Sequence, residues 1–268
     1  MTRSSRRHLL ATSAALACAC LLAAFAPRAA AQTAEEIKKK GSITVGLLVD
    51  FPPYGTVDSS NQPDGYDADV ARLLAKDLGV KLNLVPVTGP NRIPFLLTNK
   101  VDVLVASLAV TPERAKQVQF SRPYSAATIV LYGAKKTSIK APADLKGLRV
   151  AVARASTQDS ALTAMAPEGT EIRRFDDDAS AMQALLSGQV DAIGCSTTVA
   201  AQIAKRAGDA YENKLVLKQQ FMAVAMRQGQ ADLLKLTNDF VARNSGNGEL
   251  NKLYQKWLHA DLPAMAAN

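Results

Sequence analysis

The chain has 268 residues, of which 48% are hydrophobic and 21% are charged, and its formal net charge is +8. This ordinary globular composition is long enough for one large domain or two smaller ones. The chain has two histidines and three cysteines, and it lacks a lysine- and arginine-rich run with interleaved aromatic residues. These features argue against nucleic acid as a partner and against a histidine–cysteine zinc site.

The first 31 residues have the pattern of a secretory signal peptide. Basic "MTRSSRRHLL" is followed by the apolar run "LLATSAALACACLLAAFA" and by small residues, which predicts cleavage after Ala31. The pair of arginines in "SRRHLL" leaves general secretory and twin-arginine export both open, and a retained membrane anchor is the alternative. Cleavage removes four arginines and leaves a net charge of +4. Cys195 and His259 are then the remaining cysteine and histidine, which excludes an intrachain disulfide and disfavours histidine-based nucleophilic catalysis.

Strand and helix patterns alternate in the first half of the mature chain. The β-branched run at 42–49 predicts a strand, a proline-rich loop spans 50–65, and helically spaced apolar residues then predict a helix that stops at Gly79. Further elements follow: a strand at 81–87, a short helix at 92–97, a fully buried strand at 101–108 and a strand at 127–134. This order indicates βαβ units and a mainly parallel sheet.

The second half repeats the same alternation. It predicts strands at 148–153, 170–175 and 190–195, helices at 157–165, 178–188 and 198–208, strand material at 215–227, and closing helices at 231–244 and 248–258. The phrases "TNKVDVLVAS" and "SGQVDAIGCS" echo each other, each with a Val-Asp pair ahead of a buried strand. The echo favours two similarly built halves.

Six segments, in this order and spacing, resemble the extracytoplasmic solute-binding proteins of ABC importers, family 3. They are "GSITVGLLVDFPPY", "DGYDADVARLLAKDLGV", "NRIPFLLTNKVDVLVASLAVTPERAKQVQFSRPY", "DLKGLRVAVARASTQ", "LLSGQVDAI" and "NGELNKLYQKWL". The resemblance runs from about residue 41 to 258. It implies an α/β, two-lobed periplasmic binding protein type II fold, with parallel-rich sheets flanked by helices and a ligand cleft between lobes that two crossover strands join.

The resemblance also implies a domain plan and a function. After the signal peptide at 1–31, lobe 1 is expected from 32–133 and 221–268, and lobe 2 from 134–220. We expect a periplasmic, monomeric protein that captures a small carboxylate-bearing solute, such as a polar or acidic amino acid, and delivers it to the membrane permease of an ABC transporter. No cofactor, metal or catalytic residue is expected. A cyclohexadienyl dehydratase-like enzyme on the same fold, or a ligand-sensing module, is the alternative.

The resemblance assigns the ligand carboxylate to Arg114 and Ser107. An arginine in the first turn of a helix opposes the helix dipole, and its planar fork suits a carboxylate. Thr111 and Pro112 form a good helix start, so a solvated arginine is the alternative for Arg114. Where the family often has a further serine or threonine, this chain has Ala109, and one hydroxyl donor is absent.

Other cleft residues follow from the same resemblance. Phe51 is expected to cover the ligand side chain, or to be a core residue. Thr157 and Gln158 are expected to offer N–H groups and a hydroxyl at a helix start, after Ala155, where the family usually has glycine. Arg92, in "NRIP", is expected to reach a carboxylate on the ligand side chain, or to be a surface residue at a helix start.

The largest departure from the family pattern is Ser196. Amino-acid-binding members usually have an aspartate there, which pairs with the ligand α-ammonium, and serine cannot balance that charge. Either another carboxylate, Asp50 or Asp159, substitutes, or the ligand lacks an α-ammonium group. The neighbouring Cys195 is expected to be a small buried residue rather than a reactive thiol.

Overall fold

A computed structural model describes residues 33–265 of the chain. The predicted signal peptide at 1–31 lies outside these residues. The helices are α1 (Ala34–Lys40), α2 (Tyr66–Leu78), α3 (Arg92–Leu97), α4 (Pro112–Ala115), α5 (Thr157–Met165), α6 (Asp178–Leu186), α7 (Thr197–Ala207), α8 (Ala231–Gly246) and α9 (Glu249–Leu258). The strands are β1 (Ser42–Leu48), β2 (Thr56–Val57), β3 (Pro63–Asp64), β4 (Lys81–Val87), β5 (Val103–Leu104), β6 (Val118–Ala134), β7 (Arg149–Ala153), β8 (Glu171–Phe175), β9 (Ala192–Ser196) and β10 (Tyr211–Arg227).

Eight strands are hydrogen-bonded in the order β4-β1-β5-β10-β6-β9-β7-β8. The first strand group, β4, β1 and β5, is parallel, and so is the second strand group, β9, β7 and β8. Between the groups lie the antiparallel strands β6 and β10. The parallel groups confirm the mainly parallel α/β prediction, and β6 and β10 are the two strands that pass from one group to the other.

Strands β6 and β10 are longer than the sequence pattern indicates. Each has 17 residues, whereas the predicted strands began at 127 and 215. Pro123 interrupts the apolar pattern of β6 but is accommodated at a register shift, where Met222 pairs with Ser125 and Ala223 with Pro123. Such a bulge tolerates a residue that lacks a backbone N–H. Backbone pairing between β6 and β10 therefore continues past Pro123, although this residue interrupts the apolar pattern.

The echoed Val-Asp pairs have the same structural role in both halves. The Asp102 carboxylate accepts the Thr44 N–H at 2.8 Å, at the start of β1. Asp191 accepts the Arg149 N–H at 2.9 Å, at the start of β7. The predicted strand at 101–108 forms ladder pairs only at β5, although its residues are buried. The echo therefore reflects two equivalent strand junctions.

Buried apolar side chains form a large cluster that includes residues of both strand groups, and a smaller one beside β7. Cys195 is fully buried, and burial raises the pKa of its thiol. A thiol held protonated in an apolar core is a poor nucleophile, which agrees with the structural role expected for Cys195. Within residues 33–265, no helix has the length and apolar character needed to cross a membrane.

Candidate functional site

A polar cleft lies where the parallel strands of both groups end. Its volume is about 500 Å³, part of it open to solvent. The first strand group contributes the loops after β1, β4 and β5, and the second contributes the loops after β7 and β8. The carboxyl ends of parallel strands are the usual ligand sites of α/β folds. The lining comprises Leu48, Asp50, Phe51, Gly89, Arg92, Ser107, Ala109, Arg114, Ile129, Ala153, Arg154, Ser156, Thr157, Gln158, Asp176, Asp177, Asp178 and Gln220.

Arg114 lies in the four-residue helix α4. Thr111 caps the start of this helix, because its hydroxyl accepts the Arg114 N–H at 3.2 Å. The Arg114 guanidinium donates to the Ala109 carbonyl and, on the opposite side of the cleft, to the Ala155 carbonyl, both at 3.0 Å. Burial and the positive charge of Arg92 lower the pKa of Arg114 to about 10. Arg114 is therefore a half-buried cation that lines the cleft, rather than a solvated helix residue.

Arg92 is only 6% exposed, so the surface alternative for this residue is wrong. Its Nε donates to the Gly89 carbonyl and its Nη1 to the Ala106 carbonyl, both at 3.1 Å. Burial lowers the pKa of Arg92, and the carboxylates of Asp178 and Asp50 raise it. The Arg92 guanidinium thus donates its hydrogen bonds to backbone carbonyl oxygens. Its positive charge is balanced at longer range by the two carboxylates.

Ser107 lines the cleft, but its polar groups face a buried aspartate network. Its hydroxyl donates to Asp67 at 2.7 Å, and its N–H donates to the Tyr124 hydroxyl at 3.2 Å. Tyr124 in turn donates to Asp67 at 2.8 Å. The network holds Ser107 at a φ of 48°, in the left-handed region, where side chains other than glycine are uncommon. Ser107 therefore shapes the loop that faces Arg114.

Thr157 and Gln158 begin helix α5, behind the cap that Ser156 provides. The Thr157 hydroxyl donates to the side-chain oxygen of Gln220 on β10. The first N–H groups of a helix have no acceptor inside the helix, so this helix start suits an anion. Ala155, just before it, has a φ of 58°, the left-handed conformation that favours the glycine usual in this family.

Phe51 is 7% exposed and stacks on Tyr54, with ring centroids 5.2 Å apart. One face of Phe51 belongs to the core and another part lines the cleft. Both roles considered for Phe51 are therefore compatible with its position.

Ser196 lies outside the cleft lining within the described part of the chain. It is fully buried at the start of α7, where its hydroxyl contacts the Thr198 hydroxyl at 2.6 Å and accepts the Val199 N–H at 3.2 Å. These bonds are those of a helix cap. Six of the seven predicted ligand residues line the cleft, and Ser196 is the one that does not.

Two carboxylates that the resemblance did not assign directly, Asp50 and Asp178, line the cleft. Burial, with a contribution from Asp177, raises the pKa of Asp50 to about 6. Burial, together with the charge of Asp50, raises the pKa of Asp178 to about 7. Asp159, the other substitute considered, is held by Arg174 at 2.9 Å and is not a lining residue. The run of three aspartates directly after β8 is the sequence signal that could have indicated Asp178.

Residues 33–265 contain no group of three or more histidine, cysteine, aspartate or glutamate side chains placed so that they could hold a metal ion. The polar groups of the cleft are instead arginines, aspartates and uncharged hydrogen-bonding side chains. Such a set binds a small charged or zwitterionic molecule through hydrogen bonds and charge.

Known proteins are similar in sequence to this chain along most of its length. The chain is 30% identical to the L-cystine-binding protein TcyJ of Escherichia coli (strain K12) over 230 residues, which cover 85% of this chain and 86% of the relative. It is 31% identical to the ABC transporter glutamine-binding protein GlnH of Bacillus subtilis (strain 168), with 85% of each chain covered.

A solved structure shares the fold. It is the ancestral amino acid-binding protein AncCDT-1, described as a precursor of cyclohexadienyl dehydratase. The TM-score is 0.77 at 36% identity, and the match covers 84% of this chain and 98% of that one. Residues 43–260 match the family model of the bacterial extracellular solute-binding proteins, family 3. By sequence and by fold, the chain belongs to this family.

Proposed function

We propose that the protein is the periplasmic solute-binding component of an ABC importer, and that it captures a small carboxylate-bearing solute in the cleft. The observation that carries the proposal is the pair of cleft arginines, Arg92 and Arg114, whose guanidinium groups bond to carbonyl oxygens and not to carboxylates. The relatives named for L-cystine and glutamine support an amino acid or related compound as the solute.

In this proposal Arg114 makes two parallel hydrogen bonds to the ligand carboxylate. Arg92 adds positive charge beside it, and the first N–H groups of α5 approach from the other side. A ligand that contacts both strand groups favours the closed arrangement of the cleft, because its contacts are stronger there. We propose two lobes with borders at 133/134 and 220/221, a monomer, no nucleic-acid partner, and a membrane permease that recognises the closed form.

The test is a thermal-shift panel of amino acids and organic acids on ligand-stripped protein. A true ligand at 100 times its Kd stabilises the folded state by about 2.7 kcal/mol. For a chain of this length the rise in Tm is then about 5–10 °C. A panel without any shift contradicts the proposal.

Arg114→Ala should weaken the binding of the identified ligand by about 2–5 kcal/mol, because a buried charged hydrogen bond is lost. Arg114→Lys keeps the charge but loses the fork and should weaken binding less. Arg122→Ala is the matched control, since Arg122 is an exposed residue of β6. Calorimetry that finds wild-type affinity in Arg114→Ala would refute the assignment of this arginine.

A second candidate function is cyclohexadienyl dehydratase-like catalysis. The observation in its favour is Asp178, a cleft carboxyl with a pKa of about 7, because a general acid works best when its pKa lies near the working pH. Incubation with prephenate and arogenate, followed by absorbance, separates the two functions. We expect reversible binding without turnover; product formation that Asp178→Asn abolishes would favour the enzyme.

A further inference from the structure

Of the four aspartates that line the cleft, two have neither a cationic partner within 4.0 Å nor a role as a helix cap among the described residues. Asp176 is paired with Arg154, at 3.4 Å, and the Asp177 carboxylate accepts the Ser180 N–H at the start of α6, at 2.6 Å. Asp178 accepts a bond from the Gln158 amide, at 3.2 Å. Neither Asp178 nor Asp50 has an ion pair within 4.0 Å among residues 33–265. These two carboxylates are therefore cleft anions that neither form an ion pair within 4.0 Å nor cap a helix among the described residues, and Arg92 acts on them only at longer range.

Asp178 lies close to the position from which the sequence departs from its family. It is the first residue of α6, which packs beside α7, and its charge acts on Cys195, the neighbour of Ser196. A carboxylate in the first turn of a helix is favoured by the helix dipole. The negative charge absent from the start of α7 is thus supplied at the start of the adjacent helix.

Arg92 is an independent sign of a ligand at this place. It is 94% buried, and its Nη2 makes no hydrogen bond within the described residues. Its charge is repelled by Arg114 on one side and attracted by Asp178 and Asp50 on the other. The cleft lining therefore contains both arginines and aspartates, and the Arg92 guanidinium interacts through its charge with Arg114 and with both carboxylates.

We infer that Asp50 and Asp178 form a cation subsite that binds the ammonium group of the ligand, in place of a carboxylate at position 196. The inference rests on the proposed function and specifies its substrate class: a zwitterion of the amino-acid type, with its carboxylate at Arg114 and its ammonium at the aspartate pair. A simple carboxylic or dicarboxylic acid leaves both aspartates unbalanced and binds weakly.

The test compares each amino acid with its counterpart that lacks the ammonium group. L-Glutamine is paired with glutaramic acid, and L-cystine with 3,3′-dithiodipropionic acid, within a panel of the standard amino acids and their deaminated analogues. Calorimetry on ligand-stripped protein should show binding of at least one amino acid and about 10- to 100-fold weaker binding of its analogue, as for the loss of a charged hydrogen bond.

Asp178→Asn and Asp50→Asn should each remove most of this discrimination. Asp159→Asn is the matched control, because this aspartate is held by Arg174 outside the cleft lining. Thermal unfolding of the ligand-free variants checks that they are folded. If Asp178→Asn is unstable, Asp50→Asn and the analogue comparison still decide the question.

The outcomes separate the inference from the proposed function. Equal binding of amino acid and analogue, or unchanged discrimination in both aspartate variants, overturns the cation subsite. The binding function still stands in that case if Arg114→Ala weakens binding as expected. Binding of carboxylic acids alone also overturns the subsite. A panel in which nothing binds overturns both.

Discussion

The aspartate pair has an electrostatic property that the arginines lack: it titrates near neutral pH. Asp178 has a pKa of about 7 and Asp50 a pKa of about 6, raised chiefly by burial. Asp177 adds negative charge to both, Arg92 opposes the shift in both, and Gln158 donates a hydrogen bond to Asp178. Because the pKa of Arg114 is about 10, this arginine stays charged throughout the range in which the aspartates ionise.

Amino-acid binding should therefore tighten as the pH rises from 5 to 8. The ammonium of the ligand needs ionised carboxylates, and binding in this window should release protons. Calorimetry in buffers of different ionisation enthalpy measures both effects. Binding that is independent of pH in the wild type, or a pH dependence that persists in the Asp50→Asn/Asp178→Asn double variant, would contradict the assignment.

The ligand-free protein should show the opposite trend in stability. The folded-state pKa values of Asp50 and Asp178 lie above the ordinary value of 3.8, so the unfolded chain releases its protons first as the pH rises. The free energy of unfolding should thus decrease between pH 4 and about 7. Urea titrations of the wild type and the double variant measure the contribution of these two carboxyls.

Single residues differ in how far the sequence could place them. The cleft position of Arg114 could be predicted, because a family motif surrounds this residue. The sequence did not predict a cleft position for Asp178, because the family motif assigns the ammonium-binding carboxylate to position 196. Only the packing of α6 against α7 brings the first residue of one helix beside the start of the other.

At the scale of elements, helix starts decide the roles of several cleft residues. Ser156, Asp177 and Ser196 each accept an N–H three residues ahead, and so begin α5, α6 and α7. These caps point the first turns of the helices after the parallel strands toward the same end of the sheet. The alternation of strand and helix patterns predicted these starts within a few residues, because the apolar spacing changes there.

Ser196→Ala tests whether Ser196 is a cap or the ligand contact predicted from the sequence. Loss of a cap should lower the free energy of unfolding by about 1 kcal/mol and leave ligand affinity unchanged. Chemical denaturation and calorimetry measure the two quantities separately. Ser196→Thr keeps a capping hydroxyl and serves as the control. Lower affinity with unchanged stability in Ser196→Ala would instead support a direct ligand contact.

At the scale of the whole molecule, contacts other than those of the ligand also join the two sides of the cleft. The Arg114 guanidinium reaches the Ala155 carbonyl, and the Gln202 amide of α7 donates to the Pro52 carbonyl in the loop after β1. Such contacts bias the equilibrium between open and closed arrangements, and hence the apparent affinity for a ligand that needs the closed one.

Gln202→Ala should weaken ligand binding without removing a ligand contact. Loss of one hydrogen bond of about 1 kcal/mol makes the closed form less populated and raises the Kd about fivefold. Surface plasmon resonance should show most of the effect in the dissociation rate. Lys205→Ala, on an exposed position of the same helix, should behave as the wild type. An unchanged Kd in Gln202→Ala would mean that this contact does not control closure.

The sequence by itself determined the order of strands and helices and the family, because local periodicity and contiguous motifs carry that information. It also predicted the two arginines that line the cleft. It also indicated the equivalence of Asp102 and Asp191 through a short echo. Only the tertiary structure decided that β6 and β10 pair along their whole length, that Arg92 is buried, that Ser196 lies outside the cleft lining, and that Asp50 and Asp178 share the cleft. These features depend on residues far apart in the chain, and packing and electrostatics between them have no local sequence signal.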